Sequence, residues 1–174
     1  MKKIVLFFIF LFSLSVSGQK SLTKLLKKYN TESVEYASVD NLKKQIKRPF
    51  DSAQGDNKII LLDARELKEY KVSHIKNAIY VGYDKFDLKE TTAKLTNKKA
   101  TIIVYCSVGI RSEDIAEKLQ KAGYKNVFNL FGGIFEWKNK QNTVVDSLNN
   151  PTEKVHTFNK EWSKWLKKGI KIYE

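Results

Sequence analysis

Thr101-Ile102-Ile103-Val104-Tyr105-Cys106-Ser107-Val108-Gly109-Ile110-Arg111-Ser112 is the stretch on which the reading of this chain turns. Its first five residues are dominated by β-branched types, the pattern of a buried strand. Directly afterwards Ile115, Ala116, Leu119 and Ala122 recur at helical spacing. A strand that passes into a helix this quickly puts Cys106 in the turn between them. Gly109 permits a positive φ there, so backbone N–H groups from Ser107 to Ser112 can converge on the centre of the loop. The start of the helix contributes partial positive charge and Arg111 a full one. The thiol is therefore expected to have a lowered pKa and to act as an anion-cradled nucleophile. The plain alternative is a buried structural cysteine, which would need neither Gly109 nor Arg111.

Working outward, Lys58-Ile59-Ile60-Leu61-Leu62-Asp63 is a second continuous apolar run, and Val127 to Leu130 reads as a further strand. Val34 to Ala37 and Ala78 to Val81 read as shorter strands. Between them, helices are predicted from Val39, capped by Ser38, to about Lys47, from Glu66 to Val72, and from Phe86 to Leu95, with a polar loop over Asp51 to Asn57. This alternation predicts an α/β fold with a central, mostly parallel sheet of about five strands and helices on both faces. Ligands of such sheets bind outside the carboxyl ends of the strands. Cys106 follows one such end, and Asp63-Ala64-Arg65 follows another.

Two histidines and one cysteine give no metal spacing, and no metal or organic cofactor is expected. His74 suggests a Cys–His pair with Cys106 as one reading and a structural role as the other.

The first residues, Met1-Lys2-Lys3 and then the apolar run Ile4 to Val16, are too short for a bilayer span and read as a signal peptide over 1–18. An exported protein, periplasmic or secreted, is the expectation, with an uncleaved anchor as the alternative. A single cysteine excludes an intramolecular disulfide. The formal charge of +13 would fall by two with the loss of Lys2 and Lys3. Nucleic acid is not an expected partner for an exported chain, and the lysines read as a solvated surface. Within 19–37, Leu22, Leu25, Leu26 and Tyr29 share one face of a basic amphipathic helix. That helix is read as docked on its own domain, with membrane contact not expected after cleavage. The main domain is placed at 38–140. A C-terminal extension over 141–174 is read as packed on it, with Trp162, Trp165 and Leu166 on one face of a helix.

The loop Cys-x-x-Gly-x-Arg-Ser resembles the active-site loop of the rhodanese-like sulfurtransferases. Three further segments agree with that family in order: Leu61 to Glu66 with Glu69-Tyr70 and Ser73 to Ala78, then Ala122 to Val127, then Leu130 to Trp137. Ser73 and Asn77 stand where the family has two glycines. The resemblance implies a Cys106 persulfide as the catalytic intermediate, and a structural place for His74. It also implies that the Asp63 and Cys106 loops meet at one sheet edge, where Arg65 joins Ser107, Val108, Gly109, Ile110 and Arg111 as substrate-binding residues. Asp63 or Glu66, together with Ser112, is expected to brace the loop; the other reading is that Asp63 and Arg65 serve structure only. Phosphatase relatives carry Cys-x5-Arg, one residue longer, so the shorter spacing here favours sulfur transfer. The expected partners are a small anionic donor resembling thiosulfate, and a thiol, cyanide or protein acceptor. A binding or redox-sensing module is the other reading. Glu113 and Asp114, in the first turn after the loop, oppose a thiolate.

Overall fold

The computed structural model describes residues 21–46 and 59–173. The signal-peptide reading over 1–18 and the loop over Asp51 to Asn57 lie outside the described residues. The chain divides into two compact units, 1–32 and 33–174. In the first, residues 21–29 form helix α1, with Leu22 and Leu26 buried, while Tyr29, expected on the same face, is exposed.

The second unit is built on a five-stranded parallel sheet in the order β1-β5-β4-β2-β3. Its strands are β1 (Tyr36–Ala37), β2 (Ile60–Asp63), β3 (Ile79–Tyr80), β4 (Ile102–Tyr105) and β5 (Val127–Leu130). Helices α2 (Val39–Ile46), α3 (Leu67–Val72), α4 (Leu88–Lys94) and α5 (Arg111–Lys121) alternate with them, and α6 (Gly133–Asn139) follows β5. β4 lies in the middle because all four of its side chains are apolar or aromatic. Each is buried, so the strand tolerates cover on both faces.

Successive strand residues point to opposite faces. Leu62, Ile102 and Val104 join Ile115, Ala116 and Leu119 of α5 in one cluster. Leu61, Ile103 and Tyr105 are buried as well.

Beyond α6 the chain forms the antiparallel pair β6 (Val144–Val145) and β7 (Pro151–Thr152), then the parallel pair β8 (Lys154–His156) and β9 (Ile170–Ile172). The helix expected around Trp162 and Trp165 is a single 3-10 turn over Trp162–Trp165. Its start is set by Asn159, whose Oδ1 accepts from Trp162 N at 3.0 Å. The turn is four residues long and ends at Leu166, which is extended and fully buried, so the chain lacks the length for an α-helix. Lys138 is the one buried lysine among the described residues, paired with Glu153 at 2.7 Å. No helix among the described residues is long and apolar enough to cross a membrane.

Candidate active site

Cys106 immediately follows β4, and its carbonyl is held from behind. The first-turn N–H groups of α6 reach back to the loop: Ile134 N donates to Cys106 O at 2.9 Å and Phe135 N to Ser107 O at 3.1 Å. Such an approach requires Gly133. A β-carbon there would lie 2.2 Å from Cys106 O, and its φ of +53° disfavours other residues. Gly109 has the expected positive φ, +109°, and its N–H points at Cys106 Sγ from 3.2 Å.

From the neighbouring strand β5, fully buried Asn129 ties the far side of the loop. Its Nδ2 donates to Gly109 O at 2.8 Å, while its Oδ1 accepts from Ser112 Oγ at 2.7 Å. Ser112 Oγ also lies 3.5 Å from Cys106 Sγ, so its one proton can turn to the sulfur when that atom carries charge.

Arg111 is anchored rather than free to reach outward. Its Nη1 and Nη2 donate to Glu69 of α3 at 2.7 and 2.9 Å, and Nη2 also meets Ser107 Oγ at 3.1 Å. Glu69 further accepts from Ser107 Oγ at 3.1 Å and from Glu66 N at 3.0 Å. Burial works against the Glu69 carboxylate, yet the hydrogen bonds and charge of Arg111 more than offset it and hold the carboxyl below its ordinary pKa. For Cys106, burial is likewise the largest influence and opposes ionisation. Arg111, the Ser112 hydroxyl and the N–H groups of Ser112 and Gly109 together outweigh it, leaving the thiol below its ordinary pKa.

Several expectations are corrected. Arg65 does not face the loop cavity: it is fully buried, with Nη2 on Asp63 Oδ2 at 2.6 Å and on Ser73 O at 2.6 Å. A guanidinium enclosed in this way cannot receive a donor. Asp63, occupied with Arg65, braces the ends of the strands and not the active loop, while Glu66 caps α3 and accepts from Asp84 N. Glu69 takes the bracing role assigned to them. Glu113 and Asp114 are turned to Ser33 N and the Tyr83 hydroxyl. His74 stacks on Tyr70 with ring centroids 4.0 Å apart and bonds through its backbone to Val145, a structural position. Asn77 has a left-handed φ of +66°, a conformation that asparagine tolerates better than most residues.

A cavity of about 140 Å³ opens over the sulfur, lined by Cys106, Ser107, Val108, Ile110, Arg111, Phe158 and Trp162. Phe158 and Trp162 were not anticipated as site residues. They lie roughly fifty positions downstream of the cysteine, and no spacing rule connects them to it.

The sheet, the loop and the single cradled thiol define an α/β protein with a cysteine of lowered pKa at the carboxyl edge of its central strand. Comparison with known proteins narrows this. The rhodanese-like domain profile matches residues 43–140, and the chain belongs to that family. Thiosulfate sulfurtransferase GlpE of Coxiella burnetii is 36% identical over 80 residues, 46% of this chain and 72% of that protein. A tRNA uridine(34) hydroxylase of Aster yellows witches'-broom phytoplasma is 37% identical over 93 residues, 51% of this chain but 30% of that protein. The crystal structure of a Bacillus halodurans protein superposes with a TM-score of 0.54 at 26% identity, over 72% of this chain and 87% of that one.

Proposed function

We propose that this protein is a sulfurtransferase that carries a sulfane sulfur as a persulfide on Cys106. The supporting observation is that Cys106 lines the cavity, with Gly109 N–H 3.2 Å from its sulfur and the Glu69-anchored Arg111 in the same lining. The Cys106 thiolate attacks the outer sulfur of an anionic donor resembling thiosulfate. A Cys106–sulfur bond forms, the donor's sulfur–sulfur bond breaks, and the leaving sulfite keeps the electron pair. The loop N–H groups then stabilise the persulfide anion. An acceptor thiol or cyanide attacks the terminal sulfur, and the thiolate returns with the bond's electrons. The first eighteen residues support export, and with it a periplasmic or secreted site of action.

The test is intact mass before and after thiosulfate, followed by cyanide, with Cys106→Ser alongside. The expected result is a gain of about 32 Da, one sulfur atom, that cyanide removes and the variant lacks. No gain with any small donor overturns the reading in favour of a binding or redox-sensing module.

A further inference from the structure

Phe158 and Trp162 lie beyond the family match, which ends at residue 140, yet they form one wall of the cavity over Cys106. We propose that they are specificity-determining residues that select an organic sulfane-sulfur monoanion, one bearing a small aryl or alkyl group, over inorganic thiosulfate. This rests on the sulfur-transfer reading and names the donor class for that same site.

Both residues are anchored through their backbone N–H groups. Phe158 has a φ of +66°, an outlier for a bulky residue, and the strain is maintained by His156, whose Nδ1 accepts the Phe158 N–H at 3.0 Å. Trp162 opens the 3-10 turn, and its N–H donates to Asn159 Oδ1 at 3.0 Å. Phe158 is the exposed member of the lining, at 43%, and stands at the outer side, whereas Cys106 is 1% exposed. A donor in this cavity thus lies against the aromatic pair as well as Cys106.

Charge points the same way. Arg111 is the one cation in the lining, and both of its terminal nitrogens are taken by Glu69. The Phe158 ring lies near its guanidinium, with the carbon 5.4 Å from the ring centroid. Arg111 shares its charge between Glu69 and the Cys106 thiolate, so a second negative charge on a donor finds no further cation in the lining. A dianion must approach the thiolate with two charges and lose its hydration to a lining that includes Val108, Ile110, Phe158 and Trp162. A monoanion with an apolar group meets less repulsion and buries that group. The volume suits it: an engineered apolar cavity of about 150 Å³ accommodates benzene, against about 140 Å³ here.

The chemistry is balanced for an organic thiosulfonate. Cys106 thiolate attacks the outer sulfur, the new sulfur–sulfur bond forms, the bond to the sulfonyl sulfur breaks, and the sulfinate departs with the electron pair. One negative charge remains on each product.

The test compares kcat/KM for benzenethiosulfonate and thiosulfate, with cyanide as acceptor, in the full chain and in Phe158→Ala, Trp162→Ala, Phe158→Leu and Trp162→Phe. The conservative pair serves if the alanine variants do not fold. The expected result is a preference of roughly tenfold or more for benzenethiosulfonate that falls toward parity in the folded variants. Leu148→Ala, at the exposed tip of the β6–β7 hairpin, should keep the preference. A native ratio near or below one, or a ratio the folded variants leave intact, overturns the role of the aromatic pair while sulfur transfer stands. If neither donor adds sulfur to Cys106 by mass, the sulfur-transfer reading itself fails, and the proposal fails with it.

Discussion

Glu69 and Arg111 form a two-point ion pair, with contacts of 2.7 and 2.9 Å, in which the carboxylate is fully buried and the guanidinium 18% exposed. The pair links α3 to the first residue of α5 and so closes the loop that carries Cys106. Its geometry is that of a planar fork on a carboxylate, which a lysine would not reproduce.

Removing one partner leaves the other charge buried and uncompensated. Glu69→Ala should therefore cost about 3–5 kcal/mol of stability, seen as a lower urea midpoint. A loss below about 1 kcal/mol would mean that water compensates Arg111 readily.

Acid should expose the same pair. Because the Glu69 carboxyl is held below its ordinary value in the fold, the unfolded chain takes up its proton first as pH falls. Its contribution to stability is complete above the ordinary carboxyl value of 4.5 and is lost as pH drops through the lower folded value. Urea unfolding measured from pH 7 downward should show an acid-limb decline that is shallower in Glu69→Gln.

The reactivity of Cys106 should track its surroundings. Alkylation by iodoacetamide is expected to reach half its limiting rate at a pH below that of an ordinary thiol, since Arg111, Ser112 and Gly109 outweigh the effect of burial. Ser112→Ala should move the midpoint upward, and Arg111→Ala should move it further. A midpoint that stays in place in both variants would show that the backbone N–H groups alone set the thiol's acidity.

At Gly133 the contact is between backbones and has no slack. Gly133→Ala places a β-carbon 2.2 Å from Cys106 O at a φ of +53°. The variant should lose about 1–3 kcal/mol from conformational strain and load sulfur more slowly, because α6 must withdraw from the loop. Normal loading at a normal melting temperature would contradict that coupling.

Asn129→Leu replaces both halves of the amide that joins Gly109 O and Ser112 Oγ. Leaving those groups without a partner should cost about 1–3 kcal/mol. It should also broaden the pH dependence of Cys106 alkylation, as the loop would sample more than one arrangement.

The central strand, the Cys106 turn and α5 are legible in the sequence because each shows in local pattern: a β-branched run, then helical periodicity, with Gly109 between them. Arg65 misleads for the opposite reason. Two residues from Asp63, an arginine can turn outward to a ligand or inward to its neighbour, and only the packing around Tyr105 and Ser73 decides for the latter. Glu69 is visible as part of a motif, but its partner Arg111 is 42 positions away. Without the strand order no rule pairs them. Phe158 and Trp162 are less legible still, since a left-handed phenylalanine and a 3-10 turn leave no periodic signature.

Helix α6 is seven residues long, about 10 Å from end to end. Its first turn grips the carbonyls of Cys106 and Ser107. At its last residue, the Asn139 side chain binds Trp165 O and the N–H groups of Lys167 and Lys168. One short strut therefore fixes the distance between the reacting sulfur and the segment that carries Trp162. Two residues of the cavity lining, Cys106 and Trp162, are thus tied to opposite ends of one element, and a shift of α6 carries to both.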